Sequence, residues 1–194
     1  MKKILIIDTK AGNLFSLKAS IERLGFLQTV LETPSEEFFD GIIIPGQGRF
    51  GTVMKNIRKY GWDKYLSQAR EKNIPILGIC VGMQIFFESS QEDLGIKGLG
   101  WFIGSSQALD FPKKPMVGWA KLHSDIWSNE AVYFVNSYAI KETSLSIATT
   151  NYGEEFCAAV RQGSFTGVQF HPEKSSQVGS RIIEQALTNF GAMS

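Results

Sequence analysis

The sequence predicts an α/β fold, a three-layer sandwich with a mostly parallel central sheet and an antiparallel extension in its C-terminal half. Three observations point to it. The first half alternates short, continuously apolar runs with amphipathic stretches, the pattern of strands buried on both faces and joined by crossover helices. The second half replaces that pattern with closely spaced β-type runs separated by turn signals, which suits antiparallel hairpins. The 194 residues are 43% hydrophobic and 20% charged, enough apolar material to close one core, so a single domain over 1–194 is expected.

In chain order, residues 4–8 read as a buried strand and 13–24 as a helix, with Leu14, Leu17, Ile21 and Leu24 at helical spacing. Residues 27–31 form a second strand, and 41–45 a third that runs into Pro45-Gly46-Gln47-Gly48. Two helical stretches follow at 53–60 and 63–72, then a fourth strand at 74–79 and a helix at 82–89. Ligands of such sheets collect at the carboxyl ends of the strands. Asp8, Pro45-Gly46 and Cys80 all fall there. Beyond this, runs at 132–135, 145–150, 156–161 and 166–170 read as strands extending the sheet. Asn151-Tyr152-Gly153 and Gln162-Gly163-Ser164 separate the later ones, and 179–190 reads as a closing helix.

Bulk properties exclude several functions. Twenty basic against nineteen acidic side chains leave a formal charge of +1, and no basic run exceeds a pair, so neither nucleic acid nor an anionic membrane surface is an expected partner. The N-terminal run Ile4-Leu5-Ile6-Ile7 is too short for a signal peptide and ends on Asp8, and no apolar segment approaches a membrane span. A cytoplasmic location, with Cys80 and Cys157 as free thiols, is the expectation.

Gly78-Ile79-Cys80-Val81-Gly82 matches the G-x-nucleophile-x-G elbow, with cysteine as the nucleophile and a strand-then-helix context around it. A free cysteine is more often a small buried hydrophobe. Here a glycine stands two residues away on each side, as a sharp strand-to-helix turn requires. The helix start beyond it offers unpaired N–H groups and positive potential to a thiolate or an oxyanion. Cys157, without flanking glycines, reads as a core residue.

A cysteine nucleophile needs an imidazole. His123 lies in a polar stretch without a backbone signal and reads as a surface residue. His171 ends a strand-like run, and Pro172 stops that strand just after it. Glu173 can turn back to accept from the imidazole, selecting its tautomer and stabilising its charged form. Cys80, His171 and Glu173 therefore form the expected catalytic triad. Glu88 and Glu154 hold no comparable position.

Pro75–Gln84 together with Gln169-Phe170-His171-Pro172-Glu173-Lys174-Ser175 resembles the class I, or triad, glutamine amidotransferases, whose fold is flavodoxin- or Rossmann-like. The resemblance spans essentially the whole chain. It includes Ala11-Gly12-Asn13-Leu14, Pro45–Gly48, Gly98-Leu99-Gly100, Gly118-Trp119 and Tyr133–Tyr138. Within the family it is strongest to the glutaminase subunits of imidazole glycerol phosphate synthase.

The resemblance implies that L-glutamine is hydrolysed to glutamate and ammonia through a Cys80 thioester. Gly46, Gly48, Gln84, Ser137 and Tyr138 match substrate-holding positions. The N–H of Val81 matches an oxyanion donor, with a second donor from the Pro45–Gly48 loop after a peptide rearrangement. No cofactor or metal is implied. The implied partner is a cyclase subunit with a (β/α)8 barrel. It forms a heterodimer with the glutaminase and takes the ammonia to make imidazole glycerol phosphate and an aminoimidazole carboxamide ribotide in histidine biosynthesis.

Where the family usually has Tyr-Gly this chain has Thr9-Lys10, and where it usually has histidine before Ser-Tyr this chain has Asn136. Before Gly118-Trp119 the usual Pro-His-Met is Pro115-Met116-Val117, and Ala120 stands where asparagine is usual. These differences leave the triad intact and keep a second acceptor open, amidino groups on surface sugars. Readings of other classes are a free-standing cysteine hydrolase, which should carry its own lid or insertion, and a non-catalytic binding module on this fold.

Overall fold

The computed structural model describes residues 1–10, 14–111 and 113–188. The first half runs β1 (Lys3–Ile7), α1 (Phe15–Arg23), β2 (Leu27–Leu31), β3 (Gly41–Ile44), α2 (Phe50–Lys59), α3 (Trp62–Glu71), β4 (Ile76–Ile79) and α4 (Val81–Gln84). The second half runs β5 (Ser89–Ser90), β6 (Ser105–Ala108), β7 (Met116–Lys121), β8 (Ala131–Asn136) and β9 (Tyr138–Ile140). It continues through β10 (Ser146–Tyr152), β11 (Glu154–Gln162), β12 (Phe165–Val168), a 3-10 turn at Pro172–Lys174 and α5 (Ser176–Thr188).

Seven strands form the central sheet in the order β10-β11-β12-β4-β3-β1-β2. β12, β4, β3, β1 and β2 are mutually parallel, while β10 and β11 add an antiparallel edge. This is the α/β sheet the sequence predicts. Residues Ile4–Ile7 of β1 and all of β3, β4 and β12 are buried, as parallel strands covered on both faces must be. The chain leaves β1 for β2 on one side and returns to place β3 on the other. Right-handed crossovers then put α1 and the α2–α3 pair on opposite faces. β4 lies between β3 and β12, so its carboxyl end opens at the middle of the sheet.

Several expectations need correction. The helix expected at 82–89 is only the single turn α4. Its continuation is captured by the segment after it: Leu99 N–H donates to Ile85 O (2.7 Å), Gly98 N–H to Glu88 O (2.8 Å) and Trp101 N–H to Phe86 O (2.8 Å). Ile85, Phe86 and Phe87 are all fully buried, so their run has no polar face from which to read a period. The run at 132–135 does not extend the main sheet; β8 pairs with β7 in a separate antiparallel ribbon. β5, β6 and β9 form a small third sheet, in which the serine-rich β5 and β6 gave no sequence signal.

α2 starts earlier than expected because its first N–H groups are capped from a distant segment. Phe50 N–H donates to Glu92 Oε2 and Gly51 N–H to Asp93 Oδ2, each at 2.8 Å. Asn13, where the first helix was expected to begin, lies outside the described residues with the rest of Ala11-Gly12-Asn13. So does Phe190, the expected end of the last helix. Among the described residues no helix is long and apolar enough to cross a membrane.

The end of β4 is built on backbone contacts that leave no room for a side chain. A Cβ at Gly82 would lie 2.0 Å from Ile44 O on β3, and one at Gly46 would lie 1.8 Å from Ile79 O. Gly82→Ala is therefore expected to lower unfolding stability by about 4 kcal/mol or to prevent folding, as denaturant titration would show. Gly163→Ala has open space around it and only a left-handed φ of 59° to strain, so it should cost about 1–2 kcal/mol.

Candidate active site

Cys80 follows β4 with φ 53° and ψ −111°, a conformation that a side chain adopts only when its surroundings enforce it. Its N–H donates to Val168 O on β12 at 2.7 Å, and its carbonyl accepts from Met83 N–H (3.0 Å) and Gln84 N–H (3.2 Å). Sheet and helical turn together hold the sulfur at the sheet's end. Because α4 is a single turn, what it supplies is local N–H donors rather than a substantial macrodipole.

His171 is clamped through its backbone. Its N–H donates to Tyr133 O on β8 at 2.8 Å. Its carbonyl accepts from Ser175 Oγ (2.7 Å), and the same Oγ accepts from Tyr133 N–H (3.0 Å). Phe170 anchors the segment from inside, packing edge-on against Phe134 and Trp127 at centroid distances of 5.7 and 6.5 Å. The 3-10 turn begun by Pro172 folds Glu173 back, so that Oε1 lies 2.8 Å from His171 Nδ1 with both side chains only 5% exposed. His123, by contrast, is an exposed side chain 3.6 Å from Glu155.

These elements surround a cavity of about 400 Å³ that suits a small ligand. Cys80, Val81, Gln84, Gly46, Gly48, Ser137, Tyr138 and His171, eight of the nine site residues the sequence singles out, line it together, and Glu173 stands behind His171. The wall also includes Gln47, from the Pro45–Gly48 loop, and Glu92, Pro115, Val135, Asn136 and Lys174, none of them singled out individually by the sequence as a site residue. Asn136 and Lys174 sat within motifs already noted, whereas Glu92 arrives from the α2 capping segment and left no local signal. The carbonyl of Gly46 faces the Val81 N–H at 3.4 Å, a long contact occupying the backbone donor that follows Cys80 in the chain.

Burial of His171, which disfavours a charged ring, is the largest single influence on it and pushes its pKa down. Its interactions with Cys80 and with Glu173 together outweigh that and push it up to about 10. A protonated imidazole beside a sulfur is suited to hold a thiolate and to hand a proton to a leaving group. Cys157 is the opposite case: burial drives its thiol up to about 11, in contact with Ser146 Oγ and Ala159 O. It is an inert core residue, as expected.

The family model for class-I glutamine amidotransferases matches residues 5–190. The chain is similar to the imidazole glycerol phosphate synthase subunit HisH of Moorella thermoacetica, at 36% identity with all of this chain and 96% of the relative covered. It is 39% identical to the subunit of the same name from Carboxydothermus hydrogenoformans, covering 93% of this chain and 96% of that one. For Methanocaldococcus jannaschii the identity is 38%, covering 92% and 95%. Among solved structures, a glutamine amidotransferase aligns with a TM-score of 0.78 at 19% identity, covering 94% of this chain and 97% of its own. The PurLQS structure from Thermotoga maritima aligns at 0.73 and 16%, covering 98% and 99%. At these identities the structures speak for the fold alone.

Since Glu173 raises the pKa of His171, Glu173→Gln should lower it, measurable as an earlier titration midpoint of the His171 ring signals by NMR. The raised pKa also stabilises the folded chain. The contribution of the raised pKa is complete below the ordinary imidazole value of 6.5 and is lost as pH rises through about 10. In the variant it should be lost at lower pH, seen as an earlier alkaline decline in unfolding stability.

Proposed function

The chain belongs to the class-I glutamine amidotransferase family, and from that premise we propose that it is the glutaminase subunit of an imidazole glycerol phosphate synthase, with Cys80, His171 and Glu173 as its catalytic triad. The observation that carries the chemistry is the buried His171–Glu173 pair aimed at a cysteine in an enforced positive-φ turn on a ligand-sized cavity. The names of the relatives carry the pathway and favour histidine biosynthesis over amidino-sugar formation.

The Cys80 thiolate attacks the carboxamide carbon of L-glutamine, and the carbonyl π electrons move onto oxygen. The tetrahedral intermediate collapses as protonated His171 gives its proton to the nitrogen, releasing ammonia and leaving a glutamyl thioester on Cys80. Neutral His171 then takes a proton from water, whose oxygen attacks the thioester. The C–S bond breaks to free glutamate and restore the thiolate–imidazolium pair. Glu173 stabilises the charged ring in both half-reactions by holding Nδ1–H. Gly46, Gly48, Gln84, Ser137 and Tyr138 hold the amino acid, with Val81 N–H as an oxyanion donor.

That donor faces the Gly46 carbonyl. Turning the Gly46–Gln47 peptide would remove the acceptor and offer an N–H in its place, so the isolated subunit is expected to be slow. The partner is a (β/α)8-barrel cyclase that forms a heterodimer with this chain, favours the turned state and receives the ammonia. The cytoplasm, where free thiols persist, is its expected site of action.

Cys80→Ala should cut glutamate release by roughly four orders of magnitude or more while leaving the fold intact; retained activity would remove Cys80 from the mechanism. Turnover of the wild-type chain should rise on the order of tens to a hundredfold when the cyclase and its ribotide substrate are added. High turnover that the partner leaves unchanged would refute the histidine-pathway assignment.

A further inference from the structure

Behind Cys80 lies a chain of side-chain amides whose polarity is set by a backbone carbonyl. Gln84 Nε2 lies 3.0 Å from Tyr138 O, an atom that can only accept, so the Gln84 nitrogen must face it. The other lone pair of Tyr138 O takes Asn136 Nδ2 at 3.1 Å. The second hydrogen of Gln84 Nε2 points to Gln169 Oε1 at 2.9 Å. With its oxygen committed there, Gln169 can turn only its nitrogen toward Cys80, and Nε2 lies 3.5 Å from Sγ.

We propose that Gln169 is a positioning residue for Cys80, donating a hydrogen bond to its thiolate, and that Gln84 and the Tyr138 carbonyl lock Gln169 in the donating orientation. The inference rests on Cys80 being the nucleophile and adds to it a second, uncharged stabiliser of the thiolate, independent of His171.

The surroundings of the sulfur fit this role. The carbonyl of Val135, 3.8 Å from Sγ, can accept from a thiol but offers nothing to a thiolate. The titratable groups around the site are His171 with Glu173 behind it, and Glu92, Tyr138 and Lys174 on the cavity wall. Gln169 is fully buried, and its backbone N–H is held by Ala158 O at 2.8 Å, so the amide is presented from a fixed strand end. A hydrogen bond to a charged group is stronger than one to a neutral group, so this donor favours the ionised sulfur. Gln84 Oε1 is buried without a hydrogen-bond partner among the described residues. An N–H of a bound amino acid can therefore pair with it while both Gln84 donors stay engaged. Substrate would then tighten the relay rather than compete with it.

The test reads thiolate formation directly. In a Cys157→Ala background Cys80 is the sole thiol, and its carboxamidomethylation rate by iodoacetamide is followed against pH in the full-length chain. Gln169→Met keeps the volume and removes the donor, and should move the midpoint of the profile up by about one pH unit. Gln169→Glu, which sets a carboxylate beside the sulfur, should move it further. Gln84→Met releases the lock one residue away, should shift the midpoint in the same direction by less, and serves if the buried Gln169 variants fail to fold by circular dichroism. Midpoints that coincide with the parent in every folded variant would overturn the relay. If Cys80→Ala has meanwhile abolished glutamate release, the nucleophile stands without it. If Cys80→Ala remains active, both readings fall.

Discussion

The close approach of backbone at the end of β4 is the constraint on which the rest of the molecule depends. Gly46 abuts Ile79 O, Gly82 abuts Ile44 O, and a Cβ at Gly78 would lie 2.4 Å from Gly82 O. Only glycine allows the loop after β3, the strand β4 and the turn α4 to converge so tightly. Cys80 is thereby forced into its positive-φ turn and its sulfur onto the cavity floor. The same convergence brings the Gly46 carbonyl to the Val81 N–H, so the contact that builds the elbow also occupies that donor.

Around that fixed point the site is assembled from opposite ends of the fold. β12 lies directly beside β4, so a strand about ninety residues later in the chain delivers Gln169, Phe170 and His171 to the neighbourhood of the sulfur. The ribbon β7–β8, apart from the main sheet, braces His171 through Tyr133, which also bonds Ser175, and contributes Val135 and Asn136 to the wall, with Ser137 just beyond its end. The imidazole is therefore held by backbone hydrogen bonds and aromatic packing before any ligand arrives, which is the preorganisation that charge-developing reactions require. The proposed chemistry brings two kinds of stabilisation to the sulfur. One is ionic, through His171 and Glu173. The other is a neutral amide relay through Gln169 and Gln84.

Much of this was legible in the residues. Apolar runs bounded by turn signals located β1–β4 and β10–β12, because parallel strands buried on both faces leave a continuous apolar imprint. The proposed triad was legible because each member sits in a local pattern with a physical reason: flanking glycines at Cys80, a strand-stopping proline after His171, and an acid two residues on. Other elements left no such imprint. β6 reads Ser-Ser-Gln-Ala and is a strand only because β9 pairs with it. α2 begins where Glu92 and Asp93, some forty residues away, satisfy its first donors. The helix expected after Cys80 ends early because residues 98–102 claim its carbonyls, a competition between segments that no local window contains.

The sequence by itself determined the fold class and singled out Cys80, His171 and Glu173 as candidate nucleophile, base and orienter, since each rests on short-range patterns of volume, backbone freedom and charge. Only the tertiary structure decided which groups meet at the sulfur. It made Gln169 a donor to Cys80, because the polarity of an amide depends on what it faces, and here that is set through Gln84 by the carbonyl of Tyr138. It also turned the Gly46 carbonyl onto the Val81 N–H. Long-range hydrogen bonds carry no spacing rule in the chain. They exist only once the strands that bear them lie side by side.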